Sequence, residues 1–312
     1  VPRTHSPVQC GVCRRLSRLS RRRAGGRGLV RPDARERFGL DLARHGAAVA
    51  VPIPRLQVFE LEDQPWFPVG PRDLATDYLR FVEDRLALHR PVVPLLAEVL
   101  RTTSATAVVD LCAGAGGPVD RLRMDLEAQG LAVHFTLTDR YPNISAFERA
   151  AHASGGHVTY VTDSVDARNV PDELRGVRTL FNAFHHFNPR DAVAVLRNAA
   201  RARQPIGVFE LPERSVVTLV PVVTITPLMV ALATPFIRPF RWRRLLWTYV
   251  VPVVPLTCWW DGTVSMLRAY TVSELHQLAN EVGVDEFSWR AGQVPVGSTP
   301  GKLTYLIGWP SR

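Results

Sequence analysis

The stretch "AVVDLCAGAGGPVDRL", residues 107–122, decides the fold. A short apolar run ends in Asp110, and Gly114, Gly116 and Gly117 follow within a few positions. Directly after a strand and opening a helix, such a turn lets a ligand approach the backbone, and the helix N-terminus favours negative charge. Asp110, at the strand's end, can orient the loop or accept hydrogen bonds from a ligand amine.

Outward from this stretch the pattern alternates. Apolar runs at 106–111, 132–138, 157–161, 177–182 and 205–210 read as strands. Helix-like stretches at 118–129, 144–153 and 190–202 lie between them. Such alternation implies βαβ units, an α/β fold and a mostly parallel sheet. Upstream, residues 73–89 place Leu74, Tyr78, Phe81, Val82 and Leu86 at helical spacing, and Pro91 and Pro94 open a second helix. Downstream, 271–282 reads as a helix with Thr271 as N-cap and Glu274 at the capping-box position. Two last strands, 286–290 and 302–308, are expected as an antiparallel pair at a sheet edge.

The formal charge of +9 is unevenly placed, because residues 1–37 hold eleven arginines against Asp33 and Glu36. The rest of the chain is close to neutral, so a nucleic-acid groove in the folded body is disfavoured. Val1 stands where an initiating methionine is expected, so residues 1–50 read either as translated upstream sequence or as a disordered basic arm. No apolar run follows the arginines, so the arm lacks the pattern of a secretory signal. Cys10 and Cys13 form a lone CxxC without a second pair, and no metal site is expected. The four cysteines suggest no disulfide framework, which points to a reducing cytosol.

Asp139 ends the second strand in "FTLTDRYPN", where nucleotide-binding sheets often hold ribose hydroxyls. Asp166 and Ala167 follow the third strand and are placed to edge an adenine ring. His185 and His186 lie beyond the fourth strand, where ligands meet the ends of parallel strands, and are candidates for a general base. The plain alternative is a packing or loop histidine. Glu210 ends the fifth strand near the same crevice and is a further catalytic candidate. The nicotinamide-type pattern G-x-G-x-x-G is not met by "CAGAGGPV".

With these residues the chain resembles the class I S-adenosylmethionine-dependent methyltransferases. "VVDLCAGAGG" is similar to their motif I, with Cys112 where the first glycine usually stands. Asp139 matches the acidic residue of their second motif, and "VDARNVP" resembles their adenine-side motif. "LFNAFHHFNP" resembles the segment after strand four of small-molecule methyltransferases, and "LRAYTVSELHQLANEVG" their penultimate helix. The resemblance covers roughly residues 73–214 and 261–312. It implies a Rossmann-like sheet, S-adenosylmethionine as cofactor, and Asp110, Cys112, Gly114, Gly116, Asp139, Asp166, Ala167 and Asn182 as the residues that bind it. No "NPPY"-like segment occurs, so the resemblance points to O- or C-methylation.

The resemblance is interrupted at 215–260. Residues 216–237 carry no charge, "RPFRWRR" brings Arg238, Arg241, Arg243 and Arg244, and 245–260 is again uncharged. The chain therefore divides into a basic arm (1–50), an extended segment with helices (51–102), a first methyltransferase part (103–214), a hydrophobic insertion (215–260) and a last part (261–312). Pro221, Pro227 and Pro235 interrupt the first limb, and the strands on both sides belong to one sheet. The insertion is thus expected as a hairpin lying in one leaflet, on the cytoplasmic face of the cell membrane. Its arginines would reach phosphates, and Trp242, Trp247, Trp259 and Trp260 would sit at headgroup level. A hairpin packed on its own domain or on a dimer partner is the rival. The functional expectation is a methyltransferase acting on a lipophilic or membrane-borne small molecule. Alternatives are a soluble methyltransferase with a greasy substrate lid, or a non-catalytic membrane-associated protein that binds the cofactor.

Overall fold

The computed structural model describes residues 53–297, 299 and 301–311. The basic arm and the CxxC of Cys10 and Cys13 lie outside them. Seven strands form one sheet: β1 (Ala107–Asp110), β2 (His134–Leu137), β3 (Val158–Tyr160), β4 (Val177–Phe181), β5 (Ile206–Glu210), β6 (Phe287–Pro295) and β7 (Lys302–Pro310). Their order is β3-β2-β1-β4-β5-β7-β6. β1 to β5 run parallel, and β7 enters antiparallel between β5 and β6. The order reverses between β1 and β4, and the crevice at such a switch point is where ligands bind in open sheets.

The helices that lead into and surround this sheet are α1 (Val69–Leu86), α2 (Val92–Thr103), α3 (Val119–Glu127), α4 (Ile144–Ala153) and α5 (Pro189–Arg201). Both sheet faces are covered, as strands with near-continuous apolar runs require. On one face Leu96 and Leu100 of α2, Leu122 and Leu126 of α3, and Phe147 of α4 pack with Val108, Phe135 and Val177. On the other face Leu196 of α5 and Leu275 of α9 (Val272–Glu281) pack with Val109, Leu180 and Val208. Local chemistry sets several ends. Asn143 and Asn188 cap α4 and α5 through their side chains, and Thr271 with Glu274 forms the expected capping box.

Two expected boundaries move. α1 stops at Leu86, because Ala87 turns left-handed at φ 50° and the amides of Ala87 and Leu88 close back on Asp84 and Glu83. β6 runs on through Gly292 to Pro295, beyond the expected end at 290. Gly292 leaves the space that the Tyr305 ring of β7 fills: a Cβ there would stand 2.7 Å from the hydroxyl oxygen.

The insertion forms a helical hairpin. Its limbs are α6 (Val216–Ala233) and α8 (Val253–Arg268), joined by a short 3-10 turn, the single-turn α7 (Trp242–Leu245) and a π-turn (Leu246–Val250). Val216–Phe236 is the one described helix long and apolar enough to cross a membrane, with mean hydropathy 2.3. Only Val230 of α6 is buried.

The tip returns to the body. Arg244 is buried, and its Nη2 donates to Asp77 of α1 at 2.7 Å, while Nη1 donates to the Ile237 and Pro239 carbonyls. Arg241 stands 3.6 Å from the same carboxylate. Val230, Ile237, Val254 and Cys258 then pack with Leu74 and Tyr78 of α1. This corrects the expectation for the arginines: Arg244 and Arg241 face Asp77, and Arg238 and Arg243 remain exposed. The indole N–H of Trp259 donates to the Val223 carbonyl and that of Trp260 to the Phe59 carbonyl, Trp247 packs on the α1 cluster, and Trp242 alone of the four is exposed.

Asp77→Ala leaves the Arg244 guanidinium buried without its carboxylate, which should cost about 3 kcal/mol of stability. Adding Arg244→Met should recover most of that loss. Equilibrium denaturant unfolding of the two variants checks both statements.

Candidate functional site

β1 delivers Asp110 to the bottom of the crevice. Its Oδ1 accepts from the Thr179 hydroxyl at 2.9 Å, and its Oδ2 is buried without a partner. Burial pushes its pKa well above the usual carboxylate range, against the pull of the Thr179 bond. The chain then turns sharply. Cys112, Gly114, Gly116 and Gly117 all have positive φ, at 60°, 55°, 95° and 49°. A cysteine in this region costs about 1 kcal/mol relative to glycine, so the turn tolerates Cys112 with modest strain. A Cβ on Gly114 would meet nothing within 4 Å, so this position borders open space. The Gly114 amide donates to Asp139 Oδ2 at 2.9 Å, and the Tyr141 amide to Oδ1 at 2.8 Å. Asp139 thus holds the glycine turn while keeping lone pairs free.

These elements enclose a cleft of about 420 Å³. Cys112, Gly114, Asp139, Asp166, Ala167 and Asn182 line it, whereas Asp110 and Gly116 stand behind the turn. The Arg168 guanidinium, bonded to Asp166 at 2.7 Å and to Asp191 at 3.1 Å, keeps the Asp166 pKa low. The Asn182 amide is held on both sides: it donates to Glu83 at 2.6 Å and accepts from the Leu211 amide at 2.8 Å.

The histidine pair divides. His186 lines the cleft; His185 and Glu210 are buried behind it. His185 Nδ1 and Glu210 Oε2 are 2.5 Å apart, and Glu210 Oε1 accepts from the Phe184 amide. Glu210 therefore positions His185 and does not reach the cleft. His186 Nδ1 bonds Asp63 at 2.8 Å and lies 3.3 Å from Glu60. Burial alone would lower the His186 pKa, but Glu60 and the Asp63 hydrogen bond outweigh it and push it up to about 10. The neighbouring carboxylates thus favour the protonated ring, which can donate a hydrogen bond.

The cleft wall also includes residues that the sequence did not single out. Glu62 and Asp63 come from an aperiodic, proline-punctuated strap, with Glu60 buried beneath them, and Arg80 and Glu83 come from the polar face of α1. Arg80 bonds the Ala115 carbonyl at 2.8 Å and Asp120 at 2.9 Å, bracing the glycine turn. Burial pushes Glu83 up to about 7, with the Asn182 bond opposing it. Arg268, at the end of α8, is buried and binds Asp63 at 2.9 Å and Glu60 at 3.2 Å. The one legible hint was the acidic run Glu60–Asp63 in an otherwise apolar segment.

A sheet ordered β3-β2-β1-β4-β5-β7-β6 with β7 reversed, and a glycine turn after β1 held by an acidic residue after β2, decide the architecture. This is the class I methyltransferase fold. No family model matches the chain, and no curated protein matches it in sequence. Among solved structures it is similar to an O-methyltransferase family protein from Burkholderia thailandensis, at 18% identity and a TM-score of 0.41, over 74% of this chain and 58% of that one. It is also similar to the plantazolicin methyltransferase BamL, in complex with a triazolic desmethylPZN analog and SAH, at 12% identity and a TM-score of 0.46, over 77% and 96% of the two chains. A third is NcsB1 from neocarzinostatin biosynthesis, an O-methyltransferase in complex with S-adenosylmethionine and 2-hydroxy-5-methyl naphthoic acid, at 16% identity and a TM-score of 0.40, over 72% and 59%. The chain thus spans little more than half the length of the first and third of these proteins.

Between 4.5 and about 7 the folded chain holds a proton on Glu83 that the unfolded chain has released. Its contribution to stability therefore falls as pH rises through that window. Glu83→Gln should remove this part, so unfolding free energies at about pH 5 and about pH 8 should differ less for the variant than for the parent.

Proposed function

We infer that the protein is an S-adenosylmethionine-dependent methyltransferase that methylates an oxygen or carbon of a lipophilic, membrane-borne small molecule. The observation that carries the cofactor reading is the pair of acidic acceptors on the cleft wall beside the glycine turn: Asp139 with free lone pairs, and Asp166. The cleft volume falls in the range of small-molecule sites. When bound, the cofactor supplies a methyl group already activated by its sulfonium. Asp139 would take the ribose hydroxyls, Ala167 and Asp166 would border the adenine, and Asp110 with the glycine turn would receive the amino-acid end.

At the other end of the cleft, His186 and Asp63 offer a charged pair to orient a polar group, and Leu79, Phe181 and Phe187 offer apolar walls. Holding nucleophile and methyl in line can supply much of the rate. Where the nucleophile is a hydroxyl, Glu83 is placed to take its proton, because its carboxyl ionises near neutrality. Activity from such a base rises as pH passes about 7.

The lipophilic part of the reading rests on α6. Val217, Val220, Ile225, Leu228 and Leu232 are all exposed on it, and Phe236, Phe240, Trp242 and Val250 continue the apolar surface around the tip. A contiguous surface of this kind marks a membrane or partner site. Because Asp77 holds the tip to the body, the hairpin would lie in the membrane plane, with Arg238 and Arg243 available to headgroups on the inner face of the cell membrane.

Calorimetry should detect S-adenosylmethionine binding, and Asp139→Ala should weaken it by roughly 1.5–3 kcal/mol. Failure of the intact chain to bind would overturn the cofactor assignment. For the membrane reading, the parent chain should float with anionic phospholipid vesicles, whereas the triple variant Val217→Ser, Leu228→Ser, Leu232→Ser should remain with the soluble fraction. Equal behaviour of the two proteins removes the membrane from the proposal.

A further inference from the structure

The floor of the cleft beneath His186 holds more ligating atoms than its hydrogen bonds use. Glu60 is fully buried. Its Oε1 accepts from Ser265 at 3.2 Å and pairs with Arg268 at 3.2 Å, whereas its Oε2 has no hydrogen-bond partner. His185 is buried too, with Nδ1 held by Glu210 and Nε2 without a partner. His185 Nε2 lies 3.7 Å from Glu60 Oε1, too far for a hydrogen bond. Two adjacent buried polar atoms are thus left unsatisfied, a costly state for each. One ligand atom each from Glu60, His185 and His186 lies within 4.8 Å of the others.

We propose that Glu60, His185 and His186 form a binding site for a divalent transition-metal ion of the zinc type, with the fourth position open toward the cleft. Two imidazole nitrogens and carboxylate oxygens are the donor set such ions prefer. Ligands on one tetrahedral ion with bonds of about 2.0–2.1 Å stand roughly 3.3 Å apart. The 3.3 Å from Glu60 Oε2 to His186 Nδ1 matches that spacing, and His185 Nε2 lies 3.7 Å from the other oxygen of the same carboxylate.

The surrounding groups suit an ion as well. Glu210 fixes the His185 ring by its Nδ1 and leaves Nε2 toward the site, the usual outer-shell arrangement for a metal-binding histidine. Arg268 occupies Glu60 Oε1 and Asp63 Oδ2, which leaves Glu60 Oε2 and Asp63 Oδ1 facing His186. The ion would displace the proton between Asp63 and His186. Because both residues line the cleft, it would keep a side open to a polar group of a bound molecule. The ligand set contains no residue of the glycine turn, so ion binding does not depend on the cofactor reading.

The test is zinc titration of the full-length chain after chelator treatment, by calorimetry and by metal content per chain, with circular dichroism confirming that each variant is folded. A Cys10→Ser, Cys13→Ser background silences the CxxC. In that background we expect one zinc per chain and a rise in melting temperature on loading. His185→Ala and Glu60→Gln should each weaken binding at least tenfold, and Glu210→Gln, which acts through His185, by about tenfold. Asp63→Asn, at the cleft rim, guards against loss of fold in the buried variants and should also weaken binding, because it alters the carboxylate that holds the His186 ring. Absence of a zinc equivalent in the silenced background overturns the site, as does unchanged affinity in Asp63→Asn together with any folded buried variant. S-adenosylmethionine binding measured on the same samples separates the two proposals: loss of zinc with retained cofactor affinity touches only the metal site, and the reverse touches only the methyltransferase reading.

Discussion

The Arg268 guanidinium is the joint on which the site depends. It is buried at the end of α8 and donates to the carbonyls of His185 and His186 after β4, while pairing with Glu60 and Asp63 of the strap. Arg55, from the start of the strap, donates back to the Arg268 carbonyl at 2.7 Å and to those of His185 and Phe187. Earlier on the same helix, Asp261 accepts from the amides of Leu61 and Glu62. The strap belongs to no helix or sheet here, so its buried amides need partners from elsewhere, and α8 supplies them. The second limb of the apolar hairpin is therefore also the scaffold of the cleft floor.

α1 joins the same parts from the other side. Arg80 and Glu83 face the cleft, Asp77 holds the hairpin tip, and Leu74 and Tyr78 fill the core shared with α6 and α8. One helix thus touches the ligand space and the apolar insertion at once. A shift of the hairpin against the body would have to break a buried ion pair or move a cleft wall. This explains how an almost wholly apolar limb, α6, can sit on the outside of a folded domain without its own packed core: α8 and α1 carry the burial, and α6 presents its surplus outward.

The carboxylates around the cleft sort by partner. Desolvation raises buried Asp110 and half-buried Glu62 and Glu83, Glu62 to about 8 against the pull of His186. For Asp63 burial also raises the pKa, but the bonds from His186 and Arg268 outweigh it and hold it low; Asp166 is held low by Arg168. Proton-holding and ionised acids therefore stand around the same cleft, a division set by how closely an arginine or histidine bonds each one.

Much of this was written locally. The apolar runs of β1 to β5, the helical spacing between them, the capping box at Thr271 and the glycine turn after Asp110 each depend on residues a few positions apart, so the sequence alone determined the α/β class, the strand succession and the acidic strand ends that line the cleft. Cys112 in place of glycine did not obscure the turn, because its neighbours carry the same positive φ. What the tertiary structure decided are the long-range pairings. Asp77 and Arg244 are 167 positions apart, and Glu60 and Ser265 are 205 apart. No period or motif links such partners: burial makes a charge seek its counter-charge wherever the fold brings one. For that reason the meeting of Glu60, His185, His186 and Arg268, the retreat of Glu210 from the cleft, and the return of the hairpin tip to α1 become visible only when the segments are packed together.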